Sequence, residues 1–428
     1  MRALKLATSW LVGALLVLLV AAYAVFTLNQ IDEAPLSDAA DLPASGEVVA
    51  RGAYLARIGD CASCHTRAGG LPYAGGRAIE TPFGAVYASN LTPDPATGLG
   101  RWSADEFWRA LHNGRSRDGR LLYPAFPYPD YTHVTRGDAD AIFAYLRTLD
   151  PVRAQTPAAA LRFPYDTQAA LAVWRALYFR PASWAEQPRE SPEWNRGAYL
   201  VQGLGHCAAC HTPRDALGGP RRGVPLTGGV VPGDPWWAPS LVSAGQAGVA
   251  NWPLPEVVAL LTTGVTAHAG VSGPMAEVVF ASLQYLNADD ARAMAVYLRS
   301  LPAESEPTRE ARPAPAPVLE RGQQIYADRC AQCHGDEGEG KAGAFPALAG
   351  NRAVRMSETL NLIQMVLHGG YQPATAGHPR PYGMPPFRQS LSEADVAAVL
   401  SYVRDAWGNG AGRVETMDVH RARERPGS

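Results

Sequence analysis

The chain has 428 residues, 47% of them hydrophobic, and a formal net charge of −2. That length suits about three domains of ordinary size. The near-neutral balance implies no strong nucleic-acid or anionic-lipid partner, and 42 glycines with 36 prolines suit short helices joined by long loops.

Arg2 and Lys5 precede an almost uncharged stretch from Leu6 to Leu28, long enough to cross a bilayer. Residues 1–30 are therefore expected to be a transmembrane anchor. The rival is a cleaved secretory signal, for which Ala22-Tyr23-Ala24 offers a small-x-small cleavage site. The length of the apolar run and the acidic, proline-containing linker Asn29–Gly46 favour the anchor. Basic residues ahead of the span place the amino terminus in the cytoplasm, so the remaining mass is exported.

All six cysteines fall in three copies of Cys-x-x-Cys-His: Cys61-Ala62-Ser63-Cys64-His65, Cys207-Ala208-Ala209-Cys210-His211 and Cys330-Ala331-Gln332-Cys333-His334. The pattern is the attachment signature of c-type haem. Both thiols add to the vinyl groups, and His65, His211 and His334 are the proximal iron ligands. A redox dithiol or half a zinc site could explain one copy, but not three with no cysteine to spare. The iron makes this a metal-binding protein as well as a haem-binding one. Haem c is attached outside the cytoplasm, which places the motifs on the periplasmic side of a bacterial inner membrane.

The motifs sit in a repeat. Arg51-Gly52-Ala53-Tyr54-Leu55, Arg196-Gly197-Ala198-Tyr199-Leu200 and Arg321-Gly322 through Tyr326 lead into them. Each repeat closes on an amphipathic helix whose cap precedes an acidic residue by three: Thr135 with Asp138, Asn287 with Asp290, Ser392 with Asp395. Ser103-Ala104-Asp105-Glu106 forms a further capping box stopped by Gly114. An entering helix, a motif, a middle helix and a closing helix describe an all-α fold: three tandem cytochrome c (class I-like) domains after an N-terminal transmembrane helix. The expected domains are 46–152, 191–303 and 317–408. A connector spans 153–190, a proline-rich linker 304–316 and a polar tail 409–428. From Gly408 onward the tail shows no apolar face. In the connector, Leu171, Trp174, Leu177 and Tyr178 share one helical face, read first as inter-domain packing and second as a docking face for a partner or the membrane.

A thioether on the open iron position blocks ligand chemistry and leaves electron transfer. Met384, in Tyr382-Gly383-Met384-Pro385-Pro386, and Met275, in Gly273-Pro274-Met275, are the candidates, with Met294, Met356 and Met365 read as core. The first repeat has no methionine. Phe126 stands at the matching place, and His133 is the leading substitute. Three outcomes stay open there: His/His ligation, a five-coordinate iron, or another ligand. His112 and His368 precede turn glycines and read as structural, His206 as a solvent or haem-edge contact, and His268 and His378 as exposed loop residues. Gly335-x4-Gly340-Lys341 lacks the Ser or Thr of a phosphate loop and follows no strand. No flavin, nicotinamide or molybdenum site is legible, so the chain alone is not expected to oxidise a substrate.

From about Gly46 to Trp407 the sequence resembles the three-haem cytochrome c subunits of membrane-bound bacterial alcohol, aldehyde and gluconate dehydrogenases. The resemblance is carried by Thr81-Pro82-Phe83-Gly84, Ser89-Asn90-Leu91-Thr92-Pro93-Asp94, Thr97-Gly98-Leu99-Gly100, Trp102, Phe107 and Gly114, and by Tyr123–Tyr128, where Phe126 replaces the family's methionine. It implies a catalytic partner subunit (flavo-, quino- or molybdoprotein) and ubiquinone as the acceptor feeding a respiratory chain. Two alternatives share the motifs: a free-standing membrane-tethered shuttle to a terminal oxidase or reductase, and a haem peroxidase working at the first haem.

Overall fold

The computed structural model describes residues 2–31, 36, 45–267, 269–304 and 311–425. Helix α1 (Arg2–Leu28) is long and apolar, and its Ser9–Leu28 stretch is not buried against the protein. Three helical units follow. The first holds α2 (Gly46–Ile58), the short α3 (Cys61–His65), a hairpin of β1 (Ala78–Thr81) and β2 (Gly84–Tyr87), α4 (Ala104–Asn113), α5 (Tyr128–Tyr131) and α6 (Arg136–Leu146). The hairpin pairs Ala78 with Tyr87 and Thr81 with Gly84, and β3 (Ala160–Leu161) adds a third antiparallel strand beside β2. Helix α7 (Gln168–Tyr178) then crosses to the second unit.

The second unit opens with α8 (Pro192–Tyr199), which runs on through a π-helical turn at Leu200–Leu204. It continues with α9 (Ala208–His211), the antiparallel pair β4 (Gly229–Val230) and β5 (Trp237–Ala238), α10 (Leu254–Thr263), α11 (Pro274–Ala281) and α12 (Ala288–Ser300). The third comprises α13 (Ala316–Arg329), α14 (Ala331–His334), α15 (Arg352–Arg355), α16 (Leu360–His368), α17 (Glu393–Asp405) and α18 (Thr416–Arg423).

One crossing repeats in all three units, and its cause is the Arg-Gly pair. A Cβ on Gly52 would lie 1.8 Å from the Ala141 carbonyl oxygen, on Gly197 2.0 Å from that of Ala293, and on Gly322 2.2 Å from that of Ala398. Only glycine lets the opening helix cross the closing helix that closely. The preceding arginine locks the crossing: Arg51 pairs with Asp138 at 2.5 Å, Arg196 with Asp290 at 2.7 Å and Arg321 with Asp395 at 2.8 Å. Those aspartates also occupy the capped first turns, where Thr135, Asn287 and Ser392 accept their backbone N–H groups at 3.3, 2.8 and 3.1 Å.

The units are not joined alike. A single apolar core runs through the first two, from Leu55, Ile142 and Leu146 to Leu200, Leu204 and Met294, whereas the third keeps its own clusters around Ile363 and Tyr326. A reciprocal exchange ties the first pair. Tyr54 donates to Asp290 Oδ2 at 2.7 Å and Tyr199 to Asp138 Oδ2 at 2.6 Å, each hydroxyl reaching into the other unit. Burial and the facing aspartate both push these two phenols well above their ordinary range. The third unit has Gln324 at this place. It docks instead through α16, where Asn361 bonds both backbone groups of Trp237 at 2.8 Å and Gln364 reaches the Pro235 carbonyl at 3.1 Å.

Two expectations need correction. The carboxyl-terminal stretch is not without an apolar face: α18 buries Val419 and Ala422 against α16 and α17. Only these two small apolar residues face inward among charged and polar neighbours, Asp418, His420, Arg421 and Arg423, too few to announce a periodic stripe. His378 is buried, 7% exposed, because the tight turn Thr375–His378 folds back against α10, where a Cβ on Gly377 would meet Thr263 at 2.7 Å. His268, residues 305–310 of the proline-rich linker and most of the Asn29–Gly46 linker lie outside the described residues. On α7, Leu171 is buried, and Trp174 and Tyr178 bind the second unit through Leu217 and Asp215, while Leu177 stays 43% exposed.

Candidate haem-attachment sites

Each Cys-x-x-Cys-His segment is a single helical turn at the end of its opening helix. The rings of the three histidines are held by the same kind of contact. His65 Nδ1 lies 2.7 Å from the Ser89 carbonyl oxygen, His211 Nδ1 2.7 Å from that of Pro239, and His334 Nδ1 2.9 Å from that of Pro346. A carbonyl can only accept, so Nδ1 carries the proton and Nε2 keeps its lone pair. This is the arrangement by which a metal-binding histidine is held in one tautomer. Burial lowers the pKa of all three rings and outweighs the opposing backbone bond, so they are neutral near pH 7.

A second contact repeats at each site. The carbonyl of the motif histidine accepts from a glycine N–H at 2.7 Å: Gly75 to His65, Gly228 to His211, Gly340 to His334. These glycines have φ of 75, 82 and 66°, in the left-handed region. A Cβ on each would meet backbone of the very segment that orients the ring: Ser89 C, Ser240 N or Ala347 N, all at 2.6 Å. Glycine, histidine and carbonyl segment thus form one clamp, built three times. The carbonyl partners are backbone atoms, which sequence reasoning missed. Their trace is a leucine two residues on, in Ser89-Asn90-Leu91, Pro239-Ser240-Leu241 and Pro346-Ala347-Leu348.

None of the six cysteines pairs with another in a disulfide. Burial pushes Cys61 and Cys207 up to about 12 and Cys330 up to about 11. Paired neutral thiols beside a histidine offering Nε2 fit covalently attached haem.

Of the other candidates, Met275 begins α11 and packs partly buried on the shared core. Helix α11 also touches the first motif, where Arg77 donates to the Ser63 carbonyl at 2.6 Å and pairs with Glu277 at 2.5 Å. Met384 is held by a two-way backbone bridge to Gly370, at 2.8 and 3.1 Å. Met294 and Met356 are buried core residues. In the first unit Phe126 packs on Tyr131 with centroids 5.4 Å apart. His133 follows α5 near Gly203 of the second unit, where a Cβ on that glycine would meet the His133 Cβ at 3.5 Å, and burial, then the neighbouring His112, lower its pKa. His112 is buried with Nδ1 on the Thr132 carbonyl at 3.0 Å, and His368 accepts from Arg388. His206 stacks edge-on against Tyr131 at 5.5 Å, and Tyr131 donates to the Gly59 carbonyl, so the first two motifs are braced through shared aromatic rings.

Crossed helices over a Cys-x-x-Cys-His turn with a carbonyl-oriented histidine define the small all-α haem-attaching class. The family model described as cytochrome c matches residues 49–150 and 319–407. The chain is 43% identical over 369 residues to a component of the nicotinate dehydrogenase of Pseudomonas putida, covering 84% of this chain but 30% of that protein. It is 38% identical over 402 residues to the cytochrome c subunit of the alcohol dehydrogenase (quinone) of Komagataeibacter europaeus, with 89% and 85% covered. It is likewise 38% identical over 390 residues to the gluconate 2-dehydrogenase cytochrome c subunit of Pantoea cypripedii, with 87% and 88% covered. The chain belongs to the cytochrome c family, is similar over most of its length to the cytochrome c subunits of dehydrogenases, and its role is electron transfer.

Proposed function

We propose that the chain carries three covalent haems c, one per unit, and relays electrons from a catalytic dehydrogenase subunit to ubiquinone in the inner membrane. Haem attaches at Cys61, Cys64 and His65, at Cys207, Cys210 and His211, and at Cys330, Cys333 and His334. The single observation carrying this reading is the triplicated clamp that leaves Nε2 free on each motif histidine. Haem iron supplies one-electron redox chemistry. The protein's part is to fix ring tautomer, exclude water and choose the sixth ligand. Met275 and Met384 are the proposed sixth ligands of the second and third units, and His133 that of the first, since no methionine lies between Met1 and Met275. The domains follow the three units, and α1 is proposed as a retained anchor with the haem domains on the periplasmic side.

The catalytic partner is inferred from relatives named as dehydrogenase subunits, and the quinone acceptor from the relative named alcohol dehydrogenase (quinone). Purification of the tagged protein from its native membrane in mild detergent tests the assignment. A stoichiometric large subunit with quinone reduction driven by an alcohol, aldehyde, sugar acid or nicotinate supports it. A lone cytochrome reduced by quinol, and by no such substrate, overturns it in favour of the free-standing shuttle.

A further inference from the structure

The end of helix α1 is held by the folded units. The residue that follows it, Asn29, continues its hydrogen bonding to Val25 and is 8% exposed. Its amide donates to the Val25 carbonyl at 2.8 Å and to the Ala172 carbonyl of α7 at 2.9 Å. Its Oδ1 accepts from Arg175 Nε at 2.9 Å, and its backbone carbonyl from Arg115 at 2.9 Å. Arg175 is itself buried, 4% exposed, with its guanidinium 4.7 Å from the Phe179 ring centroid and 5.3 Å from that of Tyr128, and it donates to the Asn113 carbonyl. The apolar helix is therefore bolted at its end to the first unit and to α7 through Asn29.

That latch fixes the height of α7. Asn29 is the first polar residue after the apolar stretch Ser9–Leu28, so it stands where a bilayer's hydrocarbon gives way to headgroups. Ala172, bonded to it, stands at the same level. On the free side of α7, Val173 and Leu177 are one turn apart and 47% and 43% exposed. Leu217, tied to α7 by the Trp174 indole, is 46% exposed, and Ile31 beside the latch 45%. Exposed Arg222, which donates to the Leu177 carbonyl at 2.5 Å, borders these side chains, and exposed Arg180 lies just past the end of α7. Apolar side chains fringed by arginine, at headgroup depth, form an interfacial surface.

Resting on the reading of α1 as a retained anchor, we propose that α7 with Leu217 is a lipid-contacting platform, lying in the headgroup layer of the membrane that α1 spans, so that the first unit faces the bilayer in one fixed orientation. The occupant is phospholipid.

The test uses full-length holoprotein in vesicles of phosphatidylethanolamine and phosphatidylglycerol, with a nitroxide on Leu177→Cys and, as a control, on Tyr371→Cys of the third unit, a residue 71% exposed. The platform requires the label at 177 to relax faster with dissolved oxygen than with a water-soluble nickel chelate, and the label at 371 to do the reverse. Adding Asn29→Ala should move the 177 label toward the aqueous pattern. An aqueous pattern at 177 on protein whose intact mass still includes α1 overturns the platform. Shielding from both reagents only when a catalytic subunit is docked also overturns it, making the face a protein-docking site. An intact mass lacking α1 sinks the anchor reading itself, a distinct failure.

Discussion

Gly228→Ala puts the clamp under direct strain. At φ 82° an alanine pays the left-handed penalty of about 1–2 kcal/mol. Its Cβ would also sit 2.6 Å from Ser240 N, 2.9 Å from the Ala238 oxygen and 3.0 Å from Pro239 C, all backbone atoms that cannot rotate away. Relieving such contacts adds about 1–3 kcal/mol of overpacking cost, and the yielding segment is the one whose carbonyl orients His211. Gly223→Ala separates the two effects, because its φ is 79° but nothing lies within 4 Å of its Cβ. The expected losses, read from denaturant midpoints of the holoprotein, are about 2–5 kcal/mol for Gly228→Ala and about 1–2 kcal/mol for Gly223→Ala. Only Gly228→Ala should shift the potential or spin state of one haem, followed by spectroelectrochemistry. Equal stability losses with unchanged haem spectra in both variants would refute the clamp.

Gly197→Ala should destabilise the second unit by about 1–3 kcal/mol, since its Cβ would lie 2.0 Å from the Ala293 oxygen, whereas Gly137→Ala, with open space around it, should be neutral or stabilising in the same unfolding assay. Burial raises the Asp290 carboxyl, but hydrogen bonds from Arg196 and Tyr54 outweigh it and hold its pKa below the ordinary range. The stability it supplies is present above the unfolded pKa of about 3.9 and lost as pH falls through the lower folded value. Asp290→Asn should therefore flatten the acid limb of the stability–pH curve while costing most near neutrality. Asn361→Ala removes both bonds to Trp237; limited proteolysis should then free the third unit while the first two stay joined. Met384→Leu should abolish the thioether-to-iron charge-transfer band of one haem, and His133→Ala should change the electron paramagnetic resonance signal of the first haem alone.

The parts legible in the sequence were those written in side chains at fixed spacing. The motifs, the capped closing helices and the Gly114 stop, in the left-handed region at φ 59°, needed only local chemistry. What the sequence hid is mostly backbone or cross-unit. The carbonyls of Ser89, Pro239 and Pro346 have no residue code, and the π-helical turn at Leu200–Leu204 looks like ordinary helix. Tyr54 and Tyr199 were visible as a repeat, yet each finds its aspartate in the other unit, a pairing no single repeat announces. The burial of His378 and of α18 depends on what folds back over them, which local pattern does not encode.

At the centre of the proposed function stands one chain holding three haems on three equivalent clamps. Intact mass of the denatured, purified holoprotein addresses this directly, because covalent haem survives denaturation. Three working clamps predict the polypeptide mass plus three haems, dropping to two in Cys207→Ser/Cys210→Ser. A wild-type chain carrying two haems or fewer would contradict them.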